Sequence, residues 1–257
     1  MHTGYHITVV GMTEQQKNFP EFYVTSAQKC PYLEDRSERK LFTHITQEKS
    51  GALIDNLLRS GFRRSQNIAY VPYCDGCQAC VSVRILADEF SLSKSQKRIF
   101  NRNRDLVAKR TPAHATMEQF NLFRDYIEAR HHDGGMADMD FHDYATMVED
   151  SIVDTMITEY RIDAGDGGTY EQQPLIATAL CDYLSDGISM VYSFYNVEEA
   201  DRSLGTYMIM EHAEHAKLLG MPFVYLGYWV AGSRKMNYKT KFYPQEHLST
   251  DGWVRRS

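Results

Sequence analysis

Cys74, Cys77 and Cys80 form a C-x-x-C-x-x-C array in "YCDGCQAC", and Cys30 stands upstream in "KCPYLEDR". Four thiols, three of them closely spaced, are a donor set for zinc or an iron–sulfur cluster; the competing reading is four small buried hydrophobes. A second group lies in "DRSLGTY", where Arg202, Gly205 and Tyr207 sit at a strand-to-helix turn. Backbone N–H groups at a helix start, beside a cation and a glycine that permits close approach, suit an anion. A third is a basic series, Lys94, Lys97, Arg98, Arg102, Arg104, Lys109 and Arg110, at spacings that share helix faces and suit phosphates. A fourth is the aromatic tract of Tyr225, Tyr228, Trp229, Tyr238 and Tyr243, interleaved with Arg234, Lys235, Lys239 and Lys241. Rings beside cations suit the stacked bases and phosphates of a single-stranded RNA end, and a packed core with a basic rim is the alternative. "EHAEH" is not the H-E-x-x-H order of a zinc protease, and "RHHDGG" reads as a helix end with favourable cations.

The elements that must hold these groups follow from periodicity. "YHITVVGM" and "EFYVTS" suggest strands, and "SGALIDNLLRSGFRR" an amphipathic helix with Leu53, Leu57 and Leu58 on one face, Ser50 at its start and Gly61 at its end. "NIAYVPYC" and "CVSVRI" read as strands joined by the cysteine loop, followed by a basic helix ending near "KRTPA" at Pro112. After Pro112 come two helices, "TMEQFNLFRDYIEARHH" and "DYATMVEDSI", and three strands of an antiparallel meander, "DTMITEYRI", "PLIATALCDYL" and "GISMVYSFYN". The helix opened by "RSLGTY" and the strand "FVYLGYWV" complete the order, and "DAGDGGTYEQQ" is a hairpin loop. The expected class is α+β, with an N-terminal cysteine-containing α/β domain over 1–112 and a second domain over 113–257. Cys181 falls within a strand and is a core residue.

The chain has 257 residues, 43% hydrophobic and 12% aromatic, enough for one large or two modest cores. No apolar run of about 18 residues and no signal-peptide pattern occurs, so no membrane partner is expected and the cytoplasm is the expected compartment, where disulfides are disfavoured. A net charge of −6 argues against nucleic-acid binding over the whole surface but leaves local patches open. No G-x-S-x-G, Walker loop or complete Rossmann pattern supports a hydrolase, NTPase or dehydrogenase.

The blocks "CPYL", "YVPYCDGCQACVSVRI", "NRNRDL", "VYSFYN", "RSLGTY", "YLGYW" and "KMNYK" together resemble the bacterial aspartate/glutamate leucyltransferases, relatives of the arginyl-tRNA–protein transferases. The likeness spans nearly the whole chain. It implies an enzyme that takes leucine from leucyl-tRNA and adds it to proteins beginning with Asp or Glu, marking them for N-degron degradation, and it implies a GNAT-like C-terminal domain with a mixed sheet flanked by helices. The acetyltransferase loop of that fold runs Arg/Gln-x-x-Gly-x-Gly/Ala, and Tyr207 stands where its second small residue belongs. An aminoacyl ester on a terminal adenosine has no pyrophosphate to seat there, so the half match is expected. The arginyl enzymes carry a C-x-x-C and an adjacent cysteine pair linked to iron–sulfur binding; Cys30 and Cys77 match, Leu33 and Gln78 replace their partners, and Cys74 and Cys80 can substitute.

On this reading Arg202, Gly205 and Tyr207 meet the acceptor end of the tRNA, Tyr228 and Trp229 flank the adenosine or leucyl group, and Arg98 with Arg102 grips the stem. The acidic first residue of the acceptor requires a cation, for which Lys235, Lys239 with Tyr238, and Arg36 are the candidates. The ester is already activated, so the chemistry needs alignment and a neutral amine rather than a cofactor or a strong base, and no proton acceptor is singled out. Three other readings stay open: an arginyltransferase with the same acceptors, a CoA-dependent acetyltransferase, and an adaptor that binds tRNA or N-degrons without transfer.

Overall fold

The computed structural model describes residues 20–46, 51–132, 134–163, 165 and 168–256. The strand expected in "YHITVVGM" and the cap at Ser50 lie outside them. The short strands β1 (Tyr23–Val24), β2 (Gln28–Lys29) and β3 (Ser37–Glu38) precede β4 (Lys40–His44), α1 (Gly51–Arg59), β5 (Arg63–Ser65) and β6 (Ile68–Pro72). Then come β7 (Cys80–Leu86), α2 (Lys94–Arg102), β8 (Leu106–Pro112), α3 (Met117–His131) and α4 (Phe141–Glu149). The chain finishes with β9 (Thr155–Ile162), β10 (Leu175–Tyr183), β11 (Gly187–Tyr195), α5 (Leu204–Leu218), β12 (Phe223–Val230), β13 (Gln245–Ser249) and β14 (Gly252–Arg256).

The small sheet runs β1-β4-β6-β5, and the eight-stranded sheet runs β14-β13-β7-β12-β11-β10-β9-β8. Every pairing in the large sheet is antiparallel except β11 with β12, because α5 carries the chain back across the sheet between them. An antiparallel meander, a crossover helix and a parallel strand give the GNAT-like α+β architecture expected. On β10 the side chains alternate: Ala177, Ala179 and Cys181 pack under α5, while Leu180 joins Phe123, Tyr144 and Phe194 beneath α3 and α4. Covered on both faces, the strand reads as a continuous apolar run. A third cluster, with Ile54 and Leu58 of α1 against Leu184 and Tyr225, welds the small sheet to the large one.

Two expectations change. The basic segment is a helix only to Arg102, capped by Ser93 and Gln96; residues 106–112 form the edge strand β8. Pro112 is tolerated there because it ends an outer strand, where a missing N–H costs little. Lys109 and Arg110 therefore leave the helical basic face for ion pairs with Glu171 and Glu211. Nor do the sheets divide at residue 112, since β7, drawn from the N-terminal half, lies between β12 and β13 in the large sheet. Its run "CVSVRI" alternates toward two covered faces and so needs neighbours on both sides. Among the described residues no helix is long and apolar enough to cross a membrane.

Candidate functional site

β11 and β12 pair over Gly187↔Phe223, Ile188↔Val224 and Ser189↔Tyr225, and then part. The cause is local to β12. Its register against β7 shifts between Tyr225 and Gly227, and Gly227 takes φ +75, a conformation open to glycine and costly for other residues. The parting leaves a notch in the sheet, and the half-buried side chain of Arg63 on β5 fills its floor. The guanidinium donates to the Ser189 hydroxyl at 3.2 Å and to the Met190 carbonyl. It lies so flat on the β12 backbone that a Cβ at Gly227 would stand 3.1 Å from its Cζ and Nε.

Lys239, in a 3-10 turn over Arg234–Lys241, is 6% exposed and donates to the Tyr228 carbonyl at 2.7 Å. Burial, and then the charge of Arg63, bring its pKa down to about 7. Tyr238 beside it is 42% exposed, with its ring 5.8 Å from the ammonium. Tyr195, at the far end of β11, lies 5.0 Å from the ring of Tyr126 on α3 and faces Gly205 at the start of α5, where a Cβ would touch its ring at 3.4 Å. Along one side α2 displays Lys94, Lys97, Arg98 and Arg102 to solvent. Gln96 on its inner face donates to the Lys241 carbonyl at 3.0 Å, and Asn103 at its end donates to the Arg202 carbonyl at 2.9 Å. The basic helix is thereby tied to both segments that border the notch.

The sequence-chosen residues divide accordingly. Lys239 and Tyr238 lie near Arg63, Gly205 faces Tyr195, and Arg98 and Arg102 lie on the exposed face of α2, whereas the buried Tyr228 phenol is spent on the carbonyls of Gly61 and Tyr70. Arg202 is a correction. Its guanidinium clasps Asp105 at 2.8 and 2.9 Å and Glu199 at 2.7 Å, which neutralises the charge expected to meet a phosphate and holds the Asp105 carboxyl below its usual range. Tyr207 is also corrected: 5% exposed, it packs inward on Phe100 and Tyr160, because the first turn of α5 directs it into the core. Trp229, one residue past Tyr228 and so on the opposite face of β12, packs on His247, and its indole N–H is buried with no partner among the described residues. Lys235 is exposed, and Arg36 borders the cysteine cavity rather than the notch. Arg63 escaped sequence reasoning; the available signal was "FRR", two cations at the end of an apolar helix.

Cys30, Cys74, Cys77 and Cys80 all line one cavity of about 80 Å³, with Tyr228 in its wall. All four are free thiols, and Cys80 is pushed up to about 11 by burial and by its three neighbours. The donor set is of the type zinc or an iron–sulfur cluster takes, yet among the described residues no three His, Cys, Asp or Glu side chains are disposed as metal ligands. "EHAEH" is core: Glu211 binds Arg110 and Tyr160, and His212, held neutral by burial, donates to the Met208 carbonyl at 2.8 Å.

Residues 28–98 match the family described as arginine-tRNA-protein transferase, N terminus, and residues 118–249 match its C terminus. An aspartate/glutamate leucyltransferase of Nitrobacter hamburgensis is 54% identical over 244 residues, 95% of each chain. That of Sinorhizobium medicae is 55% identical over 248 residues, 96% of each chain. Brucella melitensis has one 52% identical over 246 residues, 95% of this chain and 99% of its own. Of solved structures, FemX aligns at 9% identity and a TM-score of 0.45, covering 76% of this chain and 64% of that one.

Proposed function

The chain belongs to the arginine-tRNA-protein transferase family, and on that premise we propose that it transfers leucine from leucyl-tRNA to the α-amine of proteins beginning with Asp or Glu, in the cytoplasm. The observation that carries the reading is the notch between β11 and β12, walled by tyrosines and bordered by the exposed basic face of α2. That face suits the phosphates of an acceptor stem, and the notch suits the terminal adenosine with its ester. Leucine is favoured over arginine by the likeness to the aspartate/glutamate leucyltransferases, 52–55% identical over 95–96% of this chain.

In the reaction the neutral α-amine attacks the ester carbonyl, an amide C–N bond forms, the ester C–O bond breaks, and the ribose hydroxyl leaves with the proton the amine gives up. Because the ester is activated, alignment supplies most of the acceleration. An α-amine titrates at about 7.7–8.0, so roughly a tenth or more is already neutral at pH 7. The four thiols around the cavity beside Tyr228 are of the type zinc or an iron–sulfur cluster takes but are not disposed as ligands among the described residues, and no role in the transfer is assigned to them.

The test follows radiolabelled leucine, and in parallel arginine, from charged tRNA to peptides beginning with Asp, Glu, Asn or Lys. Leucine on the Asp and Glu peptides alone is the expected result; arginine in its place reassigns the donor, and no transfer from either tRNA rejects the reading. Arg98→Ala is expected to raise the KM for leucyl-tRNA severalfold and flatten its salt dependence.

A further inference from the structure

Cations out of water are normally matched by anions, because an unmatched buried charge costs several kcal/mol. Every other arginine of this molecule that is buried or half-buried, from Arg59 and Arg64 to Arg161 and Arg202, has a carboxylate within 4.0 Å. Arg63 has none among the described residues. Its polar contacts there are a hydroxyl and a carbonyl, which orient the guanidinium without neutralising it. Lys239 is the same case, a buried ammonium held by the Tyr228 carbonyl and opposed by the charge of Arg63 rather than relieved by an acid.

Resting on the transfer reading above, we propose that Arg63, laid against Gly227 in the notch and backed by Lys239, is the specificity-determining residue that receives the side-chain carboxylate of the acceptor's first residue. The fork has donors to spare for a carboxylate after serving Ser189 and Met190, and a guanidinium engages both carboxylate oxygens in one plane. An Asn or Gln first residue fits the same space but leaves two cations unpaired, which is how a site built for one polar group rejects its isostere. Gly227 completes the arrangement, since any side chain at φ +75 is strained and a Cβ presses on the guanidinium.

Arg63→Gln should reduce the ratio of kcat/KM for Asp peptides over Asn peptides by roughly a hundredfold, mainly by raising the Asp-peptide KM, while the KM for leucyl-tRNA stays unchanged. Arg63→Lys should restore part of the ratio, as it keeps charge without the fork. An unchanged ratio in folded Arg63→Gln overturns the assignment. Should that variant not fold, Arg63→Lys supplies the second reading: it keeps the charge but cannot engage both carboxylate oxygens at once, so an undiminished ratio again overturns the assignment. Calorimetric binding of Asp and Asn peptides to the tRNA-free protein separates the two proposals. A wild-type chain that prefers Asp peptide but transfers no leucine sinks the transfer reading and keeps Arg63, whereas equal binding of both peptides by wild type sinks Arg63 alone.

Discussion

Arg63 and Arg64 are consecutive on β5, face opposite ways and are solved electrostatically in opposite manners. The Arg64 side chain is 1% exposed and clasps Asp182 with two bonds of 2.7 Å, and Thr155 also donates to that carboxylate at 2.8 Å. The same strand presents Arg63 to a hydroxyl and a carbonyl and to no acid among the described residues. Charge sealed by charge fastens the small sheet to the meander; charge left unsealed is available to something from outside. Arg202, expected at the substrate, falls with Arg64.

The sharpest way to break the comparison is to strip the sealed arginine of its partner. Asp182→Ala leaves a buried unpaired guanidinium and should cost about 3–5 kcal/mol in urea unfolding. Removing both charges with Arg64→Met and Asp182→Leu should recover most of that loss.

Lys239 belongs to the unsealed side. Its folded pKa of about 7 lies below the ordinary lysine value of 10.5, so between these pH values the unfolded chain binds more protons and stability rises with pH. Lys239→Met should be more stable than wild type by a few kcal/mol below pH 7, and the gap should close as pH approaches 10.5. Catalysis should carry the same titration: kcat/KM for Asp peptides rises as the acceptor amine loses its proton and falls as Lys239 loses its own, and Lys239→Met should lack the falling limb.

The smallest effect separates Arg202 from the substrate. Arg202→Ala breaks partly exposed ion pairs and should cost about 1 kcal/mol, with the KM for leucyl-tRNA nearly unmoved. A large rise in that KM would return the α5 turn to the donor site.

Much of the fold was legible because periodicity reports a local fact, which face of an element is covered. The meander, α3, α4, α5 and β12 were readable on that ground, as was the GNAT-like order. β8 was misread because a run of cations masks a weak apolar alternation, and β7 was assigned to the N-terminal half because sequence order carries no information about strand order in a sheet. At the site, Lys239 and Tyr238 could be chosen from "KMNYK" by type and density. Arg63 could not, since 164 positions separate it from Gly227, the residue that gives it its place.

By itself the sequence determined the elements, the family resemblance, the four thiols and the supply of cations. Whether a cation is spent or available was decided by tertiary structure alone. Arg202 and Arg63 are the same residue type, and the difference is whether folding brings a carboxylate within reach; a Coulomb interaction depends on through-space distance and local dielectric, neither of which is written in the order of residues along a chain.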